Sequence, residues 1–164
     1  MRDSLPEEFD EFVAVETPRL LRVAYGLTGN PHDAWDLVQE ALVRVGMRWR
    51  RLADGNPGGY AHTTLVRLNI DRGRRLRREL LPGELPHHDR PIHLEEEIDP
   101  ALVRALDRLP PKQRAAVVLR AVADLDHSAI ADRLGCSVGT ARTHLSRGLV
   151  RLREVLAEEV KGDA

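Results

Sequence analysis

The stretch that decides the fold class is Ser128-Ala-Ile-Ala-Asp-Arg-Leu-Gly-Cys-Ser-Val-Gly-Thr-Ala-Arg-Thr-His-Leu-Ser-Arg147. Ile130, Ala131 and Leu134 fall at helical spacing and turn one face inward. Gly135 stands where a left-handed residue ends a helix, and Ser137 stands where a side-chain oxygen opens the next. Val138, Ala141 and Leu145 then anchor a second helix. Gly139, Thr140, Arg142, Thr143, Ser146 and Arg147 are left on its outer side. Apolar residues that fix an angle, backed by short polar residues and arginines free to reach bases and phosphates, are the division of a helix-turn-helix. A plain helical hairpin with a solvated face is the bland alternative. Cys136 reads as a small core residue against Ile130 and Leu134, and His144 as a surface histidine within reach of a phosphate.

Working outward, Thr17-Pro18, Asn30-Pro31, Asn56-Pro57 and Asp99-Pro100 each place a capping side chain before proline, the arrangement that opens a helix. Phe9, Phe12, Val13 and Glu16 share a face, and Leu20, Leu21, Ala24 and Leu27 continue it after Pro18 until Gly29. A helix over 31–51 follows from the spacing of Leu37, Val38, Ala41, Leu42 and Val45. After the glycine-rich loop 53–59, a helix over 59–80 buries Leu65, Leu68 and Leu76. Prolines, histidines and acids without periodicity then mark a linker. Four helices over 100–108, 111–122, 127–134 and 138–159 complete the chain, with Asp126 and Ser137 as caps of the last two. The expected fold is all-α: two small helical domains over 1–81 and 99–164, joined by a flexible linker over 82–98.

Composition agrees. Aromatics are 4% and residues that alternate as in strands are rare, which disfavours a sheet. No apolar run nears the roughly 20 residues of a membrane span. The acidic start is unlike a signal peptide, and one cysteine permits no intrachain disulfide, so the expected location is the cytoplasm. The net charge of −1 conceals segregated blocks. Residues 1–16 and 86–100 are acidic, whereas 67–78 carry Arg67, Arg72, Arg74, Arg75, Arg77 and Arg78 against Asp71 alone. Such segregation points to a polyanionic partner. Enzyme chemistry finds little: there is no phosphate loop, dinucleotide fingerprint or nucleophile with a recognisable base. His87, His88, Asp89 and His93 are candidate zinc ligands, but no histidine pair among them sits at helical spacing. No cofactor is implied.

Two further stretches carry a resemblance: Leu20-Leu-Arg-Val-Ala-Tyr-Gly-Leu-Thr-Gly-Asn30 with His32-Asp-Ala-Trp-Asp-Leu-Val-Gln-Glu-Ala-Leu-Val-Arg44, and Leu106-Asp-Arg-Leu-Pro-Pro-Lys-Gln-Arg-Ala-Ala-Val-Val-Leu-Arg120. With the helix-turn-helix, they make the chain resemble the extracytoplasmic-function (ECF) class of RNA polymerase sigma factors, and more narrowly the actinobacterial SigE-like group. The resemblance implies sigma region 2 over 1–81 and sigma region 4 over 99–164. It implies docking of Asp33, Asp36, Leu37, Gln39 and Glu40 on the β′ clamp helices of core polymerase, and of the region 4 half on the β flap. It implies minus-ten reading by Asn56, Arg67, Arg72, Arg74, Arg75 and Arg78. Minus-35 reading falls to Thr140, Arg142, Thr143, His144, Ser146 and Arg147. Promoter DNA and core polymerase are the implied partners, with an anti-sigma factor as a further one and no membrane. Trp35 and Arg67 depart from the pattern, which more often has an acid and an asparagine there. The competing readings are a stand-alone helix-turn-helix regulator, which leaves the basic segment unexplained, and a metal-dependent hydrolase.

Overall fold

The computed structural model describes residues 4–79 and 98–162, and within them every regular element is a helix. In chain order these are α1 (Ser4–Thr28), α2 (Pro31–Met47), α3 (Trp49–Leu52), α4 (Pro57–Glu79), α5 (Pro100–Asp107), α6 (Pro111–Ala121), α7 (His127–Leu134) and α8 (Val138–Gly162). None is long and apolar enough to cross a membrane. The expected linker and the candidate ligands His87, His88, Asp89 and His93 lie outside the described residues.

Caps set most boundaries. Asn30 Oδ1 accepts from the amides of His32 (2.9 Å) and Asp33 (3.1 Å), and Asp99 Oδ1 accepts from that of Ala101 (2.9 Å). Asp126 Oδ1 does the same for Ala129 (2.8 Å), Ser137 Oγ for Thr140 (3.1 Å) and Asn56 Oδ1 for Gly59 (2.9 Å). Gly135 closes α7 at φ +66°, a conformation that Cβ-bearing residues adopt at a cost.

Thr17-Pro18 behaves differently from its expectation as a helix start. α1 runs straight through it, and Thr17 Oγ1 donates back to the carbonyl of Val13. An interior proline costs about 3 kcal/mol. The residues after it (Leu20, Val23, Ala24 and Leu27, each at most 2% exposed) bury enough apolar surface to outweigh that, at about 1.5–3 kcal/mol per large side chain. The helix expected over 31–51 breaks instead at Arg48 (φ −117°, ψ 14°). The break turns Trp49 onto Phe9 and Phe12, both with ring centroids 5.2 Å away. Leu76, expected inside, is 36% exposed: the fully buried positions of α4 stop at Val66, and the arginine-bearing half projects past the helices that cover it.

α1, α2 and α4 pack together as one group; α5, α6 and α7 gather on α8 as another. At Gly148 a side chain would meet Val117 Cγ2 at 2.7 Å, so glycine lets α8 approach α6 closely. The groups also touch each other, α1 against α5 and α6, and α4 against α7. One continuous apolar cluster spans both.

Candidate nucleic-acid interface

The helix-turn-helix is α7, the turn at Gly135 and the start of α8. Ile130 (0% exposed), Ala131 (3%), Ala141 (0%) and Leu145 (6%) are buried as their spacing requires, and Leu134 and Cys136 are partly buried against the same core. Val138 is not an anchor: at 40% exposure it opens α8 one turn before Ala141, the first residue of that helix to be fully covered. Gly139, Thr140, Arg142, Thr143, Ser146 and Arg147 all face solvent. Their helix has an apolar back and a polar front, the layout needed to enter a groove. His144 is half-buried, and burial, then Lys112 and Arg147, lower its pKa, so a neutral imidazole stands on this face.

The second surface centres on α4. Asn56 caps it, and a cleft of about 380 Å³ opens between this N-terminus and the end of α2, lined by Arg44, Arg48, Asn56, Tyr60, Thr63, Thr64, Arg67 and Arg133 among others. Arg48 lies over the Tyr60 ring, 5.6 Å from its centroid, and donates to its hydroxyl. An aromatic face amid guanidinium groups is suited to a stacked base with phosphates on either side. Arg74, Arg75 and Arg78 are exposed further along α4.

Arg72 departs from its expected place. Rather than facing outward with the other arginines, it reaches α2 and pairs with Asp33 (3.1 Å) and Asp36 (3.8 Å), because α4 crosses α2 at that turn and the acids are the nearest countercharge. The acidic face itself is formed: Asp36, Gln39 and Glu40 are exposed on one side of α2, and Glu40 also holds Arg44 at 3.0 Å. Leu37, expected on this docking face, is 2% exposed and belongs to the core, since its position one residue on from Asp36 points it at α1 and α4 rather than outward. A shallow cleft of about 450 Å³ bordered by Asp36, Glu40, Arg72 and Arg75 joins the acidic face to the basic helix.

Sequence reasoning missed the residues where the two helical groups meet. Arg114 of α6 is 8% exposed; its Nε donates to the carbonyl of Gly26 in α1 at 2.8 Å, and its Nη1 pairs with Asp107 at 3.1 Å. Burial lowers its pKa, and Asp107 works against that shift. Arg133 of α7 reaches the first turn of α4: a Cβ on Gly59 would lie 2.7 Å from its Nη2. Beside it His62 is held neutral, its pKa lowered to about 4 by burial and then by Arg133 and Arg19. Nothing in the spacing of these three singles them out, because each depends on a partner from the other half of the chain. Among the described residues, no group of three or more His, Cys, Asp or Glu is placed to hold a metal.

Comparison with known proteins bears on both halves. Residues 12–79 match sigma-70 region 2, and residues 100–152 match sigma-70 region 4. The chain is 37% identical over 159 residues to the ECF RNA polymerase sigma factor SigE of Mycolicibacterium smegmatis, covering 92% of this chain and 62% of that longer protein. It is 38% identical to the RNA polymerase sigma-E factor of Streptomyces coelicolor, covering 91% of this chain and 86% of the relative. Its fold is similar to that of the sigma factor RpoE solved with the anti-sigma factor NepR from Bartonella quintana, at TM-score 0.72 and 23% identity, over 92% of this chain and 98% of that one. It is also similar to CnrH solved with the cytosolic domain of CnrY, at TM-score 0.63 and 22% identity over 92% and 88%. A region 2 fold that opens beside an acidic helix, followed in order by a region 4 helix-turn-helix, matches these relatives along nearly its whole length: the chain belongs to the ECF class of RNA polymerase sigma factors.

Proposed function

We propose that this chain binds core RNA polymerase and directs it to promoters, with no catalytic chemistry of its own. The observation that carries the reading is three surfaces on one all-helical chain: an acidic face on α2, a basic cleft at the N-terminus of α4 and a polar helix-turn-helix face on α8. The acidic face, Asp33, Asp36, Gln39 and Glu40, meets the β′ clamp helices; the pairing of two of its acids with Arg72 supports this reading, since guanidinium groups fit there. Asn56, Arg67, Arg74, Arg75 and Arg78 meet the minus-ten element, where holding unpaired bases shifts the duplex toward the open state without catalysis. Thr140, Arg142, Thr143, His144, Ser146 and Arg147 meet the minus-35 element, and the second half docks on the β flap. Functional region 2 spans 1–81 and region 4 spans 99–164, with 82–98 as the linker. The protein works in the cytoplasm, where polymerase is, and an anti-sigma factor of the kind named for the Bartonella structure is a fitting regulator. A stand-alone regulator is not favoured, because it gives the region 2 half no task.

The test is run-off transcription with purified core enzyme on genomic DNA of the source organism. Discrete transcripts that need both the chain and core enzyme are expected. Absence of any directed start, with tight binding to a duplex by the chain alone, would refute the reading.

A further inference from the structure

A cavity of about 690 Å³ lies where the start of α1 meets the end of α2 and the short helix α3. It belongs wholly to the first helical group, and Arg48 is the one residue it shares with the cleft at α4. The break at Arg48 shapes it. A helix continued through that point would carry residues 49–51 round the axis of α2. The turn instead sends Trp49 in against Phe9 and Phe12 and leaves Arg50 and Arg51 exposed at the mouth. On the facing wall Phe9 Cζ stands 3.0 Å from where a Cβ of Gly46 would be, so a larger residue at 46 would press the ring out of place.

The lining has two characters. Leu5, Phe9, Met47 and Trp49 make it apolar, while Arg48, Arg50 and Arg51 bring three cations, and no acid is among the described residues that line it. Arg48 donates to the Tyr60 hydroxyl, whereas Arg50 and Arg51 have no ion-pair partner among the described residues. Trp49 adds an independent sign. It is 9% exposed, and its Nε1 is buried with no hydrogen-bond partner. An indole N–H only donates, so what this wall lacks is an acceptor, and a buried donor without one opposes the packing that hides it.

These features select the occupant. A nucleic-acid base needs an open ring face on which to stack, but Trp49 packs at 5.2 Å against both Phe9 and Phe12 with nine-tenths of its surface covered. A bare inorganic anion would answer the arginines and leave the apolar wall unused. An anionic acceptor on an apolar body answers both. The size also suits, since pockets for small ligands run from about 300 to 1,000 Å³.

We propose that this cavity binds an apolar carboxylate, a short fatty or aryl acid, whose head group accepts from Arg50, Arg51 and the indole of Trp49 while its body lies on Leu5, Phe9 and Met47. Bonds from guanidinium groups to a carboxylate are charge-assisted and stronger than neutral ones. The Trp49 N–H is closed to solvent, so the ligand reaches it by displacing a lining side chain; Met47, unbranched and 80% exposed, is the one freest to move. The site goes beyond the promoter-reading function and does not depend on it.

Nuclear magnetic resonance of the isotope-labelled full chain tests this, with octanoate as the probe. The two indole N–H signals come from Trp35 and Trp49, and Trp35→Phe assigns them. Octanoate is expected to shift the Trp49 signal saturably and to leave that of Trp35, roughly 18 Å away along α2 from Met47 at 1.5 Å per residue, in place. Acetate, which has the charge without the body, and octanol, which has the body without the charge, should each bind at least about tenfold more weakly. Replacing both Arg50 and Arg51 by glutamine, at exposed positions where circular dichroism should show the helices intact, should weaken octanoate binding by about tenfold, the loss of a charged hydrogen bond. A Trp49 signal that stays put up to the solubility limit, octanol binding as tightly as octanoate, or undiminished affinity in the folded double variant would overturn the proposal. So would displacement of octanoate by a mixed-sequence single-stranded oligonucleotide, which would make the cavity a strand contact. Directed transcription by the same preparation is a separate reading, so its failure beside a saturable Trp49 shift would strike the sigma-factor function and leave this site standing.

Discussion

Replacing Arg114 by methionine tests whether a buried cation helps or hinders the packing of the two halves. The guanidinium donates at 2.8 Å to the carbonyl of Gly26 in the last turn of α1, where the helix has run out of amides: that of Asn30, next in line, goes to Thr28 Oγ1 at 3.3 Å. A charged hydrogen bond of this kind contributes about 1.5–3 kcal/mol. The ion pair with Asp107 adds less than about 1 kcal/mol, because that carboxylate is 72% exposed and solvent screens it. Against both stands Nη2, buried without a partner at a cost of about 1–3 kcal/mol. Methionine keeps an apolar stem at this position but leaves the carbonyl bare, so arginine should win by roughly 1 kcal/mol. With a urea slope of about 2 kcal/mol per molar, the midpoint of Arg114→Met should fall by about 0.5 M. Asp107→Asn should move it by less than half as much. An Arg114→Met midpoint equal to or above that of the parent would refute the reasoning, since it would mean that the orphaned nitrogen and the lost hydration outweigh the bond to Gly26.

Charge reversal at Asp36 and Glu40 should abolish retention of core polymerase in a pull-down, and full retention would exclude this face as the docking site. Arg142→Ala should weaken discrimination at the upstream promoter element by about 1–3 kcal/mol, read as competition between matched and altered sequences. Replacing both Arg74 and Arg75 by glutamine should lower the salt slope of open-complex formation by between one and two, and an unchanged slope would remove them from the phosphate path. His62 provides a pH test. Its folded pKa of about 4 lies below its unfolded value of 6.5, so between these values the unfolded chain binds more protons and stability rises with pH. The stability is complete above pH 6.5 and is lost on acidification toward pH 4, by at most about 1.4 kcal/mol per pH unit. His62→Phe should flatten that stretch of a urea-midpoint profile, and an equally steep profile would place the acid sensitivity elsewhere.

Most helices and most of their boundaries are legible in the sequence because their signals are local. An oxygen-bearing side chain two or three residues before an amide caps it whatever the rest of the chain does, and Asn30, Asn56, Asp99, Asp126 and Ser137 all do so. Apart from Leu37, the misreadings share one cause, a tertiary partner that local pattern does not display. Thr17-Pro18 has the form of a helix start, but the apolar stripe on both sides of it holds α1 in one piece. Leu76 keeps the helical period of Leu65, yet no neighbour extends far enough to cover it. Leu37 was placed on the docking face by its company in the family motif, although its own chemistry and the period of Val38 and Ala41 already put it inside. Arg72 shares composition with its neighbours along α4, and only the crossing with α2 distinguishes it.

That crossing explains how a chain with strongly segregated charge reaches near neutrality without joining its acids and bases indiscriminately. Of the six arginines between 67 and 78, the described ion pairs engage only Arg72, and they engage it with the two acids nearest the turn where the helices meet. Among the described residues the remaining five have no acid within ion-pair distance, so there the basic half of α4 keeps its field for a partner. On the other side Asp36 is still 66% exposed and Glu40 52% exposed despite their arginines, which leaves both carboxylates open to a second guanidinium. Exposed pairs of this kind are worth less than about 1 kcal/mol, so a partner that offers better geometry displaces them at little cost. Weak internal pairing is thus what keeps two opposite surfaces, a few turns apart on adjacent helices, available to two different polyelectrolytes at once.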